Sequence, residues 1–168
     1  PVEVHVESGS LSTNHIEQRW MMVPVRERLE TLTRLLEAEE RGTTLVFART
    51  RRDCGELADA LARYGVAADA LHGALNQPAR ERVLQRMRVR QIDVVVATDV
   101  AARGIDIAGL PYEIMVTLPD DIDNFFHRVG RVGRADRMGL AISIVATEKE
   151  KVCYHKCPSR GKDCRPKP

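Results

Sequence analysis

Three arginines and two glycines lie within seven residues of one another in the segment His127-Arg128-Val129-Gly130-Arg131-Val132-Gly133-Arg134. Arginine presents forked N–H donors that match phosphate oxygens, and glycine lets the backbone approach a ligand closely. Arg131 and Arg134 are three positions apart, so one helical turn or tight loop directs both at one target. A solvated basic turn is the alternative, but the density of the pattern favours an anion site.

A second polar cluster directly follows an apolar run that ends at Ala97. It supplies a hydroxyl, two carboxylates, an arginine and a glycine within nine residues: Thr98, Asp99, Arg103, Gly104 and Asp106. Such groups at the end of a strand are typical of ligand sites in open α/β sheets. The alternative is that Thr98 and Asp99 only cap a helix, although one residue can both cap and bind.

Two weaker clusters have the same placement. His72 and Gly73 follow an apolar run and precede a helix that carries Arg80, and a helix N-terminus beside an arginine favours phosphate. Thr50 follows the run that ends at Ala48, in the segment Val46-Phe47-Ala48-Arg49-Thr50-Arg51. The alternatives are a plain turn with a surface arginine in the first case and an N-cap with solvated arginines in the second.

The elements that must position these clusters are short apolar runs alternating with amphipathic stretches, which indicates βα units around a parallel sheet. We predict strands at residues 44–48, 66–71, 93–97, 112–117 and 140–146, with weaker ones at 2–7 and 16–23. Helices are predicted around residues 25–36, 54–62, 76–87 and 121–129, the third with Asn76 as its N-cap. Since parallel strands end at the same edge, all four polar clusters should line one edge of the sheet.

The composition is that of an ordinary globular domain, with 168 residues, 43% hydrophobic and 30% charged. The net charge of +2 gives no support for nucleic-acid binding, so any basic face must be local. No apolar run approaches the roughly 18 residues of a membrane span, and no membrane association is expected. We predict one domain over residues 1–150 and a basic tail over 151–168, rich in cysteine and proline and either mobile or truncated.

Four cysteines, Cys54, Cys153, Cys157 and Cys164, do not form the spacing of a disulfide framework. This pattern favours an intracellular, reducing setting, cytoplasmic or nuclear. A zinc site built from the three tail cysteines and His155 is an alternative, but a second ligand pair is missing. We therefore expect no metal site in the chain.

The order VFARTR, LHG…QxxR, ATDVAARGIDI, HRVGRVGR resembles four motifs in the second lobe of DEAD-box RNA helicases. The resemblance extends from about Ile16 to Thr147. It implies a RecA-like three-layer αβα domain with a mostly parallel central sheet. The C-terminal third, including Val116-Thr117-Leu118-Pro119-Asp120 and Arg137-Met138-Gly139-Leu140, further resembles the DEAD-box type with a SPRY insert in its first lobe.

The resemblance also implies roles for individual residues. Arg131 and Arg134 would be arginine fingers that reach ATP held by the other lobe. Asp106 would contact the ATP ribose, and His127 would couple the ATP site to the opposite lobe. RNA phosphates would be held at five positions: Arg80, Thr98, Gly73, Thr50 and Gly104.

The sequence lacks GxxxxGK[ST], the DEAD tetrapeptide and the SAT triplet. In the family these belong to the first lobe, which binds ATP and Mg²⁺. The expected partners are therefore RNA and the N-terminal RecA-like lobe of the same monomeric helicase, and the isolated chain should not hydrolyse ATP. Two alternatives remain open: a non-catalytic RNA- or protein-binding module, and a lobe of a DNA helicase.

Overall fold

A seven-stranded sheet with helices on both faces forms the body of the protein. The computed structural model describes residues 3–7, 16–38, 42–103, 110–132 and 138–156. The strands are β1 (Glu3–Glu7), β2 (Ile16–Met22), β3 (Thr44–Phe47), β4 (Ala68–Leu71), β5 (Val94–Ala97), β6 (Tyr112–Met115) and β7 (Gly139–Val145). The helices are α1 (Arg28–Ala38), α2 (Arg51–Arg63), α3 (Gln77–Arg88), α4 (Asp99–Arg103), α5 (Ile122–Val129) and α6 (Glu148–Lys156), and a 3-10 turn at Val25–Glu27 precedes α1.

The strand order across the sheet is β1-β2-β7-β6-β3-β5-β4. Every neighbouring pair is parallel except β1 with β2, which is antiparallel. The central strands β3, β5, β6 and β7 are buried along their whole length, because helices cover both of their faces. The predicted strands and the three-layer αβα fold class are confirmed.

The two faces of the sheet bury separate apolar clusters. One contains Phe47, Met115 and Val129 and lies under α5. The other contains Leu32, Cys54 and Leu61 and lies under α1 and α2. Because successive strand residues point to opposite faces, one apolar run such as β3 contributes to both clusters.

Helix starts are fixed by polar side chains that accept hydrogen bonds from unpaired N–H groups of the first turn. Thr50 and Asp53 form a reciprocal capping box at α2, with distances of 3.1 and 3.2 Å. Asn76 accepts from Ala79 N at 2.9 Å at the start of α3, as predicted, and Asp121 caps α5. These caps set the point at which each strand-end loop becomes a helix.

The C-terminal boundary differs from the prediction, because residue 150 falls inside α6. The Glu150 carboxylate accepts from Ala146 N at 2.9 Å and pairs with Arg28 of α1. The buried Tyr154 ring packs against Trp20 and Phe125, with centroid distances of 5.4 and 5.9 Å. Helix α6 has little apolar periodicity, so only tertiary packing reveals it.

Candidate functional site

The ends of four neighbouring strands lie side by side, and three of the four predicted polar clusters directly follow them. Three backbone hydrogen bonds hold the residues just beyond these ends together. Ala48 N donates to Ala97 O at 3.0 Å, Thr98 N to Leu71 O at 3.3 Å, and Val116 N to Phe47 O at 3.4 Å. The clusters after β3, β5 and β4 therefore share one edge, as predicted. The prediction was wrong for the arginine cluster, because it follows α5 and its loop at Arg131 and Val132 is bonded to Leu110, just before the start of β6.

The described RNA-site candidates are distributed along this edge. Thr98 is 8% exposed, and its hydroxyl accepts from Ala101 N at 3.4 Å, so it caps α4. Gly73 is exposed directly after β4, beside Thr98 through the Leu71 hydrogen bond. Arg80 is half-buried in the first turns of α3, and Thr50 is exposed at the start of α2. Of these four positions, Gly73 and Thr50 are exposed, Arg80 is half-buried and Thr98 is buried.

Arg128 is anchored by three side-chain hydrogen bonds. Its Nε and Nη2 donate to the two Asp99 carboxylate oxygens at 2.6 and 2.8 Å, and its Nη1 donates to Thr117 O at 2.6 Å. The guanidinium carbon lies 4.8 Å from the centre of the Phe47 ring. Only 3% of the side chain is exposed, so Arg128 is a structural cation and is not available to a ligand.

A second contact joins the same two helices. Arg103 of α4 donates to the side-chain oxygen of Asn124 in α5. Asp99 and Arg103 are four residues apart, as are Asn124 and Arg128, so each pair lies on one helix face. The two contacts, Arg103–Asn124 and Asp99–Arg128, link the cluster after β5 to the arginine cluster. The sequence could not show this link, because the two residues in each contact are more than twenty positions apart.

The arginine loop, residues 130–132, follows α5 directly. Leu110 N donates to Arg131 O at 3.3 Å, and Leu110 forms an isolated parallel bridge with Val132. Val132 is buried, whereas Arg131 is half-buried and His127 is exposed. The backbone of the loop is thus pinned to the start of β6, while the Arg131 side chain keeps access to the surface.

Several predicted residues lie outside the described residues: Gly104, Asp106 and Arg134. The same holds for Cys157, Cys164 and the side chains of Cys153 and His155, and the zinc alternative stays a hypothesis. Among the described residues, no group of three or more His, Cys, Asp or Glu side chains is arranged to hold a metal ion. None of the described helices is long and apolar enough to cross a bilayer.

A buried acid beneath this site was missed by the sequence analysis. Glu113 of β6 is fully buried, and neither carboxylate oxygen has a hydrogen-bond partner among the described residues. Burial is the main cause that raises the pKa of Glu113 to about 8, and the negative charge of Asp99 acts in the same direction. The positive charges of Arg128 and Arg131 act in the opposite direction. The available signal was a single charged residue inside the apolar run Tyr112–Met115.

The fold and the site define a class: a RecA-like αβα domain whose polar strand ends meet an arginine-rich helix terminus. The family model described as "Helicase conserved C-terminal domain" matches residues 27–136. The ATP-dependent RNA helicase DDX1 of Xenopus laevis is 45% identical over 144 residues, which cover 80% of this chain and 20% of that protein.

Solved structures of DEAD-box proteins share the fold of this chain. A DEAD box protein from Methanococcus jannaschii matches with a TM-score of 0.73 and 39% identity, over 81% of this chain and 37% of that one. S. cerevisiae Dbp5 bound to RNA and ADP BeF3 matches with a TM-score of 0.75 and 27% identity, over 85% of this chain and 38% of that one. The chain belongs to the DEAD-box RNA helicases and is their C-terminal RecA-like lobe. The resemblance to the SPRY-insert type stays a prediction.

Proposed function

We propose that this chain supplies the arginine fingers and part of the RNA surface of an ATP-dependent RNA helicase, and that it is inactive as an ATPase without the first lobe. The chain spans about a fifth of the DDX1 relative, so the activity belongs to a larger assembly. The observation that carries the proposal is the arginine loop. Its backbone is pinned to Leu110, and the preceding Arg128 is locked by Asp99, while Arg131 stays half-buried at the surface.

This arrangement suits phosphoryl transfer. A finger must be in place before the reaction, because a preorganised donor needs no reorganisation as charge develops on the transferring group. Because Arg128 anchors the loop, Arg131 and Arg134 would be held in place to reach ATP across the cleft between the two lobes. Such fingers contribute roughly 10³–10⁵ in rate in other phosphoryl-transfer enzymes. Asp106 would hold the ribose, His127 would couple the two lobes, and the first lobe would hold Mg²⁺.

RNA would lie along the strand-end edge. Arg80 would supply a cation at the start of α3, Gly73 a backbone group after β4 and Thr50 a hydroxyl at the start of α2, and Gly104 would add a further backbone contact. Contacts of this kind reach phosphates and carry no sequence information, so binding should be independent of RNA sequence. Dbp5, a structural neighbour, has been solved with RNA bound. We further propose a monomeric helicase in a reducing intracellular compartment, consistent with the free thiol of Cys54.

The test joins this chain to a DEAD-box first lobe, ideally its own, and measures ATP hydrolysis with and without RNA. We expect RNA-stimulated turnover from the joined protein, none from the isolated chain, and loss of turnover on Arg134→Ala. Arg63→Ala, an exposed arginine at the end of α2, is the matched control and should have no effect.

Two results would contradict the proposal. If the two lobes fold together but hydrolyse nothing, or if Arg134→Ala is as active as the control, the non-catalytic binding module takes its place. If single-stranded DNA stimulates turnover as well as RNA does, the chain acts as a DNA helicase lobe instead.

A further inference from the structure

Helix α3 concentrates the positive charge of the chain. Residues 77–91 contain five arginines and one acid, so this segment carries a formal charge of +4, whereas the whole chain carries +2. The acid, Glu81, accepts a hydrogen bond from Gln77 at 3.1 Å in the first turns of the helix. The chain is close to charge balance overall, so its basic character is local and lies on this helix.

The last arginines of α3 lie far from the strand-end edge, the edge at which β3, β4 and β5 finish. The helix has 12 residues, which gives it a length of about 18 Å. It begins after β4 at the strand-end edge and runs back to the opposite edge, where β5 starts at Val94. Arg88 and Arg90 are exposed there, on either side of Val89, which is 51% exposed. These three residues form the α3-end surface.

Arg90 has a backbone conformation that favours glycine. Its φ is 56°, and it is the only described non-glycine residue with a positive φ. Arg90 N donates to Met87 O at 3.1 Å, and Gln91 N donates to Arg86 O at 2.8 Å. This pair of bonds closes the helix by the turn in which glycine is the usual residue at the position of Arg90. An L side chain is strained there, whereas glycine is not, so the turn gives no reason for an arginine.

The electrostatics of the helix account for only part of the pattern. The helix dipole favours cations in the last turn, and Arg86 also pairs with Asp69 of β4. Arg90 lies beyond the last helical residue, and no acidic side chain of the described residues pairs with Arg88 or Arg90. Both guanidinium groups are therefore open to an anion from outside the chain, and their forked donors match phosphate oxygens.

We propose that the α3-end surface binds phosphates of RNA that continues beyond the strand-end edge, such as a duplex adjoining the single strand held there. This inference rests on the proposed RNA surface at that edge. RNA is the favoured partner because α3 begins at that edge with Arg80 and leads directly to Arg88 and Arg90. A duplex is bound mainly through its phosphates and 2′-hydroxyls, so the contact is independent of sequence. The strain at Arg90 is what it costs to place a cation at this point.

The test measures binding by the joined two-lobe protein of two RNAs, a short single strand and the same strand with an adjoining duplex. Fluorescence anisotropy at several salt concentrations gives the slope of log affinity against log salt. Arg90→Gly should reduce this slope by about 0.9 for the RNA with the duplex, which corresponds to one lost phosphate contact. The slope for the short strand should not change. Arg90→Lys retains the charge and should retain the slope of the unmodified protein.

A stability measurement separates this role from a structural one. Glycine removes the strain at φ 56°, so Arg90→Gly should raise the urea midpoint of unfolding while it weakens binding of the RNA with the duplex. Arg88→Ala combined with Arg90→Gly should reduce the salt slope by about 1.8. Arg63→Ala, which removes an exposed arginine at the end of α2, is the matched control and should leave the slope unchanged.

An Arg90→Gly protein that keeps the unmodified salt slope on the RNA with the duplex would overturn the inference. If that variant binds both RNAs normally but loses affinity for polyglutamate, the α3-end surface fits an acidic polypeptide and the assignment to RNA is wrong. If the unmodified protein does not bind the short strand, the proposed RNA surface at the strand-end edge fails. The comparison of Arg90→Gly with Arg90→Lys on the RNA with the duplex then still decides the role of the α3-end surface.

Discussion

Asp99 and Arg128 form a bidentate ion pair, with N–O distances of 2.6 and 2.8 Å, that joins the helix after β5 to the helix carrying the arginine cluster. Planar guanidinium and carboxylate groups match in this geometry, so the pair fixes orientation as well as distance. The pair, the Thr117 carbonyl and the Phe47 ring together satisfy the buried Arg128 cation.

Replacing Asp99 by alanine should lower the free energy of unfolding by about 3 kcal/mol, because a buried Arg128 charge loses its partner. Urea denaturation of this chain measures the change. Asp120→Ala, which removes an exposed pair with Arg49 at 3.4 Å, is the control and should cost less than about 1 kcal/mol. Equal losses for the two variants would mean that the Asp99–Arg128 pair is not buried as described.

Arg80→Ala should weaken RNA binding by the joined two-lobe protein to the same degree for unrelated RNA sequences. Loss of one phosphate contact should also reduce the slope of log affinity against log salt by about 0.7. Fluorescence anisotropy at several salt concentrations measures both quantities. Arg82→Ala is the matched control, since Arg82 is exposed on the same helix but points away from Arg80. A salt slope that is unchanged by Arg80→Ala would remove Arg80 from the phosphate contacts.

Glu113 should make the stability of the chain depend on pH. Its pKa is raised by burial from 4.5 to about 8, so the folded state retains a proton that the unfolded state releases in this range. The contribution of Glu113 to the free energy of unfolding should therefore be largest below about pH 4.5. It should fall by up to about 1.4 kcal/mol per pH unit until about pH 8.

Urea denaturation of the unmodified chain and of Glu113→Gln at pH steps tests this dependence. The variant lacks the titrating group, so its stability should change less between pH 5 and 8. Parallel curves for the two proteins would show that Glu113 is not the source of the slope.

Cys54 should resist thiol reagents in the native state. Its side chain is fully buried, and burial, aided by the charge of Asp53, raises the pKa of its thiol to about 12. The reactive thiolate is then about a thousandfold scarcer than for an ordinary cysteine at pH 8. A chain with the other three cysteines replaced by serine isolates this thiol, and its labelling rate should rise to the ordinary value in urea. Rapid labelling without urea would contradict the burial of Cys54.

Much of the fold was predictable because hydrophobic periodicity depends on local order along the chain. Short continuous apolar runs such as Val94–Ala97 are typical of strands covered on both faces, and Asn76 marked a helix start by its cap chemistry. Helix α6 was not predictable in the same way. Its Tyr154 ring packs against Trp20, which lies on a strand at the other end of the chain.

The sequence by itself determined the family motifs, the alternation of strands and helices, and the meeting of the three polar clusters that follow β3, β4 and β5 at one edge. These follow from local spacing and from the rule that parallel strands end together. Only the tertiary structure decided which of the clustered arginines is locked and which faces the surface, since Arg128 and Arg131 are alike in sequence. It also buried the Glu113 carboxyl in the middle of the sheet. Burial and charge balance arise from residues that are distant in the chain and become neighbours only when the sheet forms.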